Sequence, residues 1–134
     1  MQDASLTRFA CAVRDATLQD IGDDMQLLSF GPDACFPDDT DLGRSSLIVR
    51  DFYQRLFTRI AAQRTSLLVG VPGTGKSWWI WYALHMLLKQ EPAPSIVWQS
   101  FKRGINKCVL FKDGKAFVGP LTAVREELDE ASTW

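Results

Sequence analysis

One segment of the sequence, from Gly70 to Ser77, combines residue types that hold nucleotide phosphates. It reads GVPGTGKS and fits the P-loop pattern G-x-x-x-x-G-K-[ST]. Its glycines let the backbone curl tightly, so that successive N–H groups point inward as a nest for anions. In such a loop, Lys76 neutralises the outer phosphates and the Ser77 hydroxyl completes the coordination of Mg²⁺. The predicted cofactors are ATP and Mg²⁺, and the predicted binding residues are Gly70, Pro72, Gly73, Thr74, Gly75, Lys76 and Ser77.

The flanking sequence predicts the elements that a P-loop requires. Residues 65–69 are a short apolar run typical of a buried strand, and residues 78–89 are apolar almost all round, which is typical of a covered helix. We expect that helix to begin at the Lys-Ser pair and to present its positive end to the phosphates. Residues 95–99 predict a second buried strand. A strand, a helix and a strand in this order imply a parallel pair with a right-handed crossover.

Hydrolysis of ATP also needs an acid that holds Mg²⁺ through water, and this acid usually ends an apolar strand. Asp113 fits this description best, because it follows the apolar run 108–111 and Lys112. Asp113 also precedes Gly114 between two apolar runs, which is a strong signal for a β-hairpin. The preference of aspartate for turn positions is enough to explain Asp113. The alternative hypothesis is that Asp113 is the catalytic acid and acts together with Lys76.

The rest of the chain predicts helices separated by a loop. Apolar spacing predicts a helix over residues 4–21, and a second one from Ser46 to Ile60 with Ser45 or Ser46 as its cap. Residues 31–43 contain two prolines, two glycines and four aspartates, so we expect a solvated loop. Leu121 to Glu130 reads as a short acidic helix.

These elements define the expected fold class and its organisation. We expect an α/β fold with a P-loop NTPase-like parallel sheet, flanking helices and one β-hairpin. Residues 1–44 would form a helical arm and an acidic loop, and residues 45–134 the P-loop core. A complete P-loop domain commonly has about five parallel strands in about 200 residues. Only two parallel strands are predicted here, so the domain is expected to be partial or reduced.

Two groups of side chains near the P-loop favour packing over chemistry. His85 is the only histidine, and a lone histidine on a helix is more often packed than catalytic. An aromatic cluster could stack on adenine, although core packing is the favoured interpretation. Its members are Trp78, Trp79, Trp81, Tyr82 and Trp98.

Charge and cysteine content limit the partners and the compartment. The formal net charge of -1 excludes nucleic-acid binding through bulk positive charge. The segment 101–117 still interleaves five basic residues with Phe101, Phe111 and Phe117, so contact with nucleic acid is an alternative to a solvated face. No apolar stretch is long enough to span a bilayer, and the N-terminus shows no secretory signal. The three cysteines predict free thiols in a reducing compartment.

The motif and its surroundings resemble a known family. Residues 47–53, 70–82 and 96–100 are similar to the P-loop ATPase module of Crinkler-type effectors and of the related retrotransposon hot spot proteins. The resemblance covers roughly residues 45–119. It implies an NTPase domain that is often joined to a nuclease- or kinase-like toxin domain. It also implies secretion into a host cell, with host proteins or nucleic acid in the host nucleus as partners.

Three functions follow from the sequence. The leading one is an ATPase or ATP-driven switch of the Crinkler type. The second is a truncated, non-catalytic P-loop fragment that binds protein or nucleic acid, since no clear acidic strand is present. A small-molecule kinase ranks last, because no arginine-rich lid follows the core. The oligomeric state is left open.

Overall fold

The computed structural model describes residues 2–31, 46–63, 76–99, 108–124 and 133–134. This part of the chain is a mixed α/β structure with two antiparallel three-stranded sheets and three α-helices. The helices are α1 (Ala4–Arg14), α2 (Phe52–Ala61) and α3 (Lys76–Leu88), and a 3₁₀ turn spans Leu121–Val124. The strands are β1 (Thr17–Gly22), β2 (Met25–Ser29), β3 (Ser46–Val49), β4 (Ile96–Gln99), β5 (Cys108–Lys112) and β6 (Lys115–Gly119).

The first sheet, in the order β1-β2-β3, corrects the predicted helix over residues 4–21. That helix ends at Arg14, and the chain reverses direction through an antiparallel hairpin of β1 and β2. Asp23 and Asp24 form the turn with φ of 52° and 58°, a left-handed conformation that aspartate tolerates better than most residues. The prediction failed after residue 14 because the ladder between β1 and β2 outweighs a weak helical periodicity.

The third strand of this sheet corrects the start of the helix predicted from Ser46. Ser46–Val49 pairs antiparallel with β2, and its side chains alternate between exposed and buried. Helix α2 begins only at Phe52, and Asp51 at its N-cap makes no side-chain cap bond. Ser46 is therefore a strand residue, and Ser45 lies outside the described residues. The alternation and the β-branched pair Ile48-Val49 explain why this segment extends rather than coils.

The second sheet, in the order β4-β5-β6, confirms the predicted hairpin. Asp113 and Gly114 form its turn with φ of 53° and 75°, as a type I′ turn requires. The strand predicted over residues 95–99 is also present as β4, but it pairs antiparallel with β5. The strand predicted over residues 65–69, and with it the predicted parallel pair, lies outside the described residues.

Helix α3 is covered on most sides, as its composition predicts. Its buried residues are Trp79, Trp81, Tyr82, Ala83, Leu84, His85 and Leu87. Phe9 of α1 packs edge-on against Trp81, with the ring centroids 5.5 Å apart. Tyr53 of α2 packs against Tyr82 at 5.6 Å. The core therefore joins both sheets and all three helices around α3.

Two predicted segments are described only in part. Of the loop predicted over residues 31–43, the structure describes Gly31 alone. Of the helix predicted over residues 121–130, it describes the 3₁₀ turn at the start, and residues 125–130 lie outside the described residues.

Candidate nucleotide site

The P-loop motif ends where α3 begins. Lys76 and Ser77 are the first two described residues of α3, so the helix includes the Lys-Ser pair. The first four N–H groups of any α-helix lack an acceptor within the helix, so this end carries a partial positive charge. The remaining predicted binding residues, Gly70, Pro72, Gly73, Thr74 and Gly75, lie outside the described residues.

A cleft with a volume of about 390 Å³ opens beside the first turn of α3. We call it the β3 cleft, because three consecutive residues of β3 line it. Its lining residues are Leu27, Ser46, Leu47, Ile48, Arg50, Tyr53 and Trp78. Trp78 is the third residue of α3, so this wall of the cleft lies within one helical turn of Lys76.

An arginine and a tyrosine supply the polar groups of the β3 cleft. Arg50 is exposed, whereas Tyr53 is only 1% exposed. Burial raises the pKa of the Tyr53 hydroxyl, and the charge of Arg50 and its hydrogen bond to the hydroxyl oppose this effect. The hydroxyl therefore stays protonated at neutral pH and remains a potential donor. The backbone oxygen of Tyr53 accepts a bond of 3.2 Å from the Trp79 indole N–H, which fixes α2 against α3.

The candidate catalytic acid Asp113 lies at the other end of α3. Asp113 and Leu88, the last residue of α3, line one shallow cleft. Since α3 has 13 residues and rises 1.5 Å per residue, its two ends are about 18 Å apart. The structure thus does not bring Asp113 near Lys76, and the positive φ of Asp113 agrees with its role in the hairpin turn.

His85 is packed in the core, as the favoured interpretation has it. It is fully buried, and its Nδ1 lies 2.6 Å from the backbone oxygen of Val13 in α1. A carbonyl oxygen only accepts hydrogen bonds, so Nδ1 carries the proton. Nε2 is buried and has no hydrogen-bond partner in the described part of the chain. His85 lies in the last turn of α3, so it is far from the start of the helix.

The aromatic cluster divides between the core and the candidate site. Trp79, Trp81 and Tyr82 are buried, and the half-buried Trp98 packs against Trp81 at 5.4 Å. These four form part of the core, as the favoured interpretation predicts. Trp78 is half-buried like Trp98 and also packs against the core, but it differs from the other four because it lines the β3 cleft.

The alternative function of segment 101–117, contact with nucleic acid, depends on three phenylalanines, and the structure makes one of them inaccessible. Phe111 is 2% exposed and belongs to the core, so it is not placed to stack on bases. Phe117 is half-buried, and Lys115 is exposed. Phe101 and three of the basic residues, Lys102, Arg103 and Lys107, lie outside the described residues.

The described residues also give information on free thiols, on metal ligands and on membrane-spanning helices. Cys11 and Cys108 are free thiols, and burial raises the pKa of Cys108. The described residues contain no group of three or more histidine, cysteine or acidic side chains that could hold a metal ion. Within the same residues, no helix has the length and apolar character to cross a bilayer.

Comparison with known proteins yields no relative. No protein-family model matches the chain, and no curated protein or solved structure is significantly similar to it. The resemblance to Crinkler-type ATPase modules therefore stays a hypothesis that rests on the motif and its flanking residues.

The sequence does not single out Arg50 and Tyr53 as candidate site residues. Apolar spacing predicts one long amphipathic helix over both, whereas strand β3 precedes Arg50 and helix α2 begins at Phe52. The run Ser46-Leu47-Ile48-Val49, with its alternation and two β-branched residues, is the signal that could have revealed the strand. Because β3 ends at Val49, immediately before Arg50, the side chains of Arg50 and Tyr53 share a cleft with Trp78 in the first turn of α3.

Proposed function

We propose that this chain is a P-loop module that binds ATP with Mg²⁺ and uses it for hydrolysis or as a switch. The observation that carries the proposal is the complete motif from Gly70 to Ser77 immediately before and within the first turn of a 13-residue helix. Helix α3 is packed in the buried core from Trp79 to Leu87, which supports a fixed position for the helix. The parallel sheet and the Crinkler-type relationship are parts of the same proposal.

In this proposal, the roles of the motif residues follow from their chemistry. Backbone N–H groups of residues 70–75 and of the first turn would donate to the phosphates. The Lys76 ammonium would neutralise the outer phosphates, and the Ser77 hydroxyl would bind Mg²⁺. The magnesium ion would add charge to offset the developing negative charge on the transferred phosphoryl group. Asp113 has no part in this site, because it lies near the far end of α3.

The test is equilibrium binding of Mg-ATP by isothermal titration calorimetry. Lys76→Ala should weaken binding by at least tenfold, because a charge-assisted bond to phosphate is lost. Lys89→Ala is the matched control, since Lys89 is exposed just beyond the opposite end of α3 and should leave the affinity unchanged. Equal affinity of the wild-type protein and Lys76→Ala would contradict the proposal.

A second candidate function is a nucleotide-binding fragment without catalysis. The candidate acid Asp113 lies beside Leu88, at the opposite end of α3 from Lys76, and this favours the fragment over an ATPase. Steady-state release of phosphate from Mg-ATP separates the two. Turnover that disappears in Lys76→Ala would establish an ATPase, whereas binding without turnover would establish the fragment.

A further inference from the structure

The β3 cleft borders the first turn of α3 through Trp78, two residues beyond Lys76 of the P-loop motif. We propose that the β3 cleft binds the purine base of the nucleotide, and this inference rests on the proposed function. Its volume of about 390 Å³ lies within the range of small-molecule sites.

The walls of the β3 cleft are suited to a flat, apolar ring. Leu27 and Ile48 are directly opposed in the ladder of β2 and β3, so their side chains lie on the same face of the sheet. The side chain of Ile48 is 50% exposed, and a ligand that covered this apolar area would gain free energy from removing it from water. The indole of Trp78 supplies an aromatic surface, and a purine presents two fused rings to such a surface where a pyrimidine presents one.

Arg50 and Tyr53 bring hydrogen-bond donors to the β3 cleft. The Arg50 guanidinium has N–H donors and no acceptor, and the protonated Tyr53 hydroxyl can donate as well. Both purines carry an acceptor at N7, and guanine adds O6. These donors can therefore bind adenine or guanine through N7. Cytosine and uracil lack N7 but carry carbonyl acceptors of their own, so the preference for purines rests on the larger stacking surface at Trp78.

The main chain of β3 also borders the cleft. Ser46, Leu47 and Ile48 all line it, although successive side chains of a strand point to opposite faces. The cleft must therefore extend around the edge of β3, where backbone groups are within reach. Backbone groups and a few side chains are the usual means by which proteins orient a bound base.

The test compares nucleotides with the phosphate chain alone. The Mg²⁺ complexes of ATP, GTP, CTP, UTP and inorganic tripolyphosphate are titrated into the wild-type protein by calorimetry. We expect ATP and GTP to bind about tenfold or more tightly than tripolyphosphate, because stacking and one charge-assisted bond are added. CTP and UTP should lie closer to tripolyphosphate.

Two variants connect this difference to the cleft. Arg50→Gln and Trp78→Leu should each weaken ATP binding about tenfold while leaving tripolyphosphate binding unchanged. Arg55→Gln is the matched control, since it removes the same charge from an exposed position on α2 and should alter neither affinity. Circular dichroism of each variant verifies that it is folded.

The outcomes distinguish this inference from the proposed function. If all five probes bind equally, or if Arg50→Gln weakens tripolyphosphate as much as ATP, the purine site is refuted while the P-loop stands. If neither tripolyphosphate nor any nucleotide binds, the proposed function fails and the purine site fails with it.

Discussion

The buried His85 should make the stability of this protein depend on pH. Burial lowers the pKa of His85 below its ordinary value of 6.5, and the bond to Val13 only partly opposes this effect. Protonation would place a charge on Nε2, which has no hydrogen-bond partner in the described part of the chain. The folded state therefore favours the neutral ring, whereas the unfolded chain can protonate it freely.

The sign and the size of the effect follow from this difference. Below pH 6.5 the unfolded chain binds more protons than the folded protein, so the free energy of unfolding decreases as the pH falls. The stabilisation is complete above pH 6.5 and is lost progressively down to the lowered pKa of the folded state. If the ring stays neutral when folded, the loss between pH 7.0 and pH 5.5 is about 1.3 kcal/mol.

The assay is urea unfolding followed by circular dichroism at both pH values, for the wild-type protein and His85→Leu. His85 is the only histidine, so the difference between the two proteins removes the contribution of the carboxyl groups. The Val13 oxygen still accepts the Ala16 N–H at 3.3 Å in the variant, so no buried carbonyl is left alone. We expect the wild-type protein to lose more than the variant, by at most about 1.3 kcal/mol. Equal losses in the two proteins would refute the reasoning.

Three further predictions concern hydrogen bonds and the hairpin turn. Thr7→Val should lower the free energy of unfolding by about 1–3 kcal/mol in urea titrations, because the buried Ala116 N–H loses its acceptor, and Thr7→Ser should restore it. Trp79→Phe should cost about 1 kcal/mol in the same assay through loss of the bond to Tyr53. Asp113→Asn should leave thermal stability unchanged, whereas Asp113→Val should cost about 1–2 kcal/mol because valine is strained at positive φ. Neither Asp113 variant should change the affinity for Mg-ATP in calorimetry, and weaker binding by Asp113→Asn would contradict the placement of Asp113 away from the site.

Local signals in the sequence predicted the elements that depend on local chemistry. The Asp113-Gly114 turn, the strand at Ile96–Gln99 and the apolar helix that ends at Leu88 were all readable because short-range preferences decide them. The predicted packing of His85 was also correct, since the residue is fully buried against Val13.

The first sheet could not be predicted in the same way. Gly22 stands before the two central residues Asp23 and Asp24 of the turn and not at either of them, and Leu18 and Ile21 fit a helical stripe as well as a strand. Strand β3 is joined to β2 by a segment of 16 residues, from position 30 to position 45, so its pairing is not a local property. Tertiary pairing decided the conformation of these residues, and local spacing did not.

The candidate site also combines residues that can be recognised in the sequence with residues that only the structure brings together. The motif from Gly70 to Ser77 is contiguous and can be recognised from spacing alone. The β3 cleft is assembled from strands β2 and β3, from Arg50 after β3 and from the first turns of α2 and α3, so its residues are scattered from Leu27 to Trp78. Only the three-dimensional structure brings Arg50, Tyr53 and Trp78 together.

The most direct test of the account is tryptophan fluorescence during titration with Mg-ATP, with wild type and Lys76→Ala compared. Trp78 and Trp79 lie in the first turn of α3, so a ligand bound at that turn should change their emission. The account predicts a saturable change in the wild-type protein that is lost in Lys76→Ala, while both proteins give the same circular dichroism. No change in the folded wild-type protein, or an identical change in the variant, would contradict nucleotide binding by this P-loop.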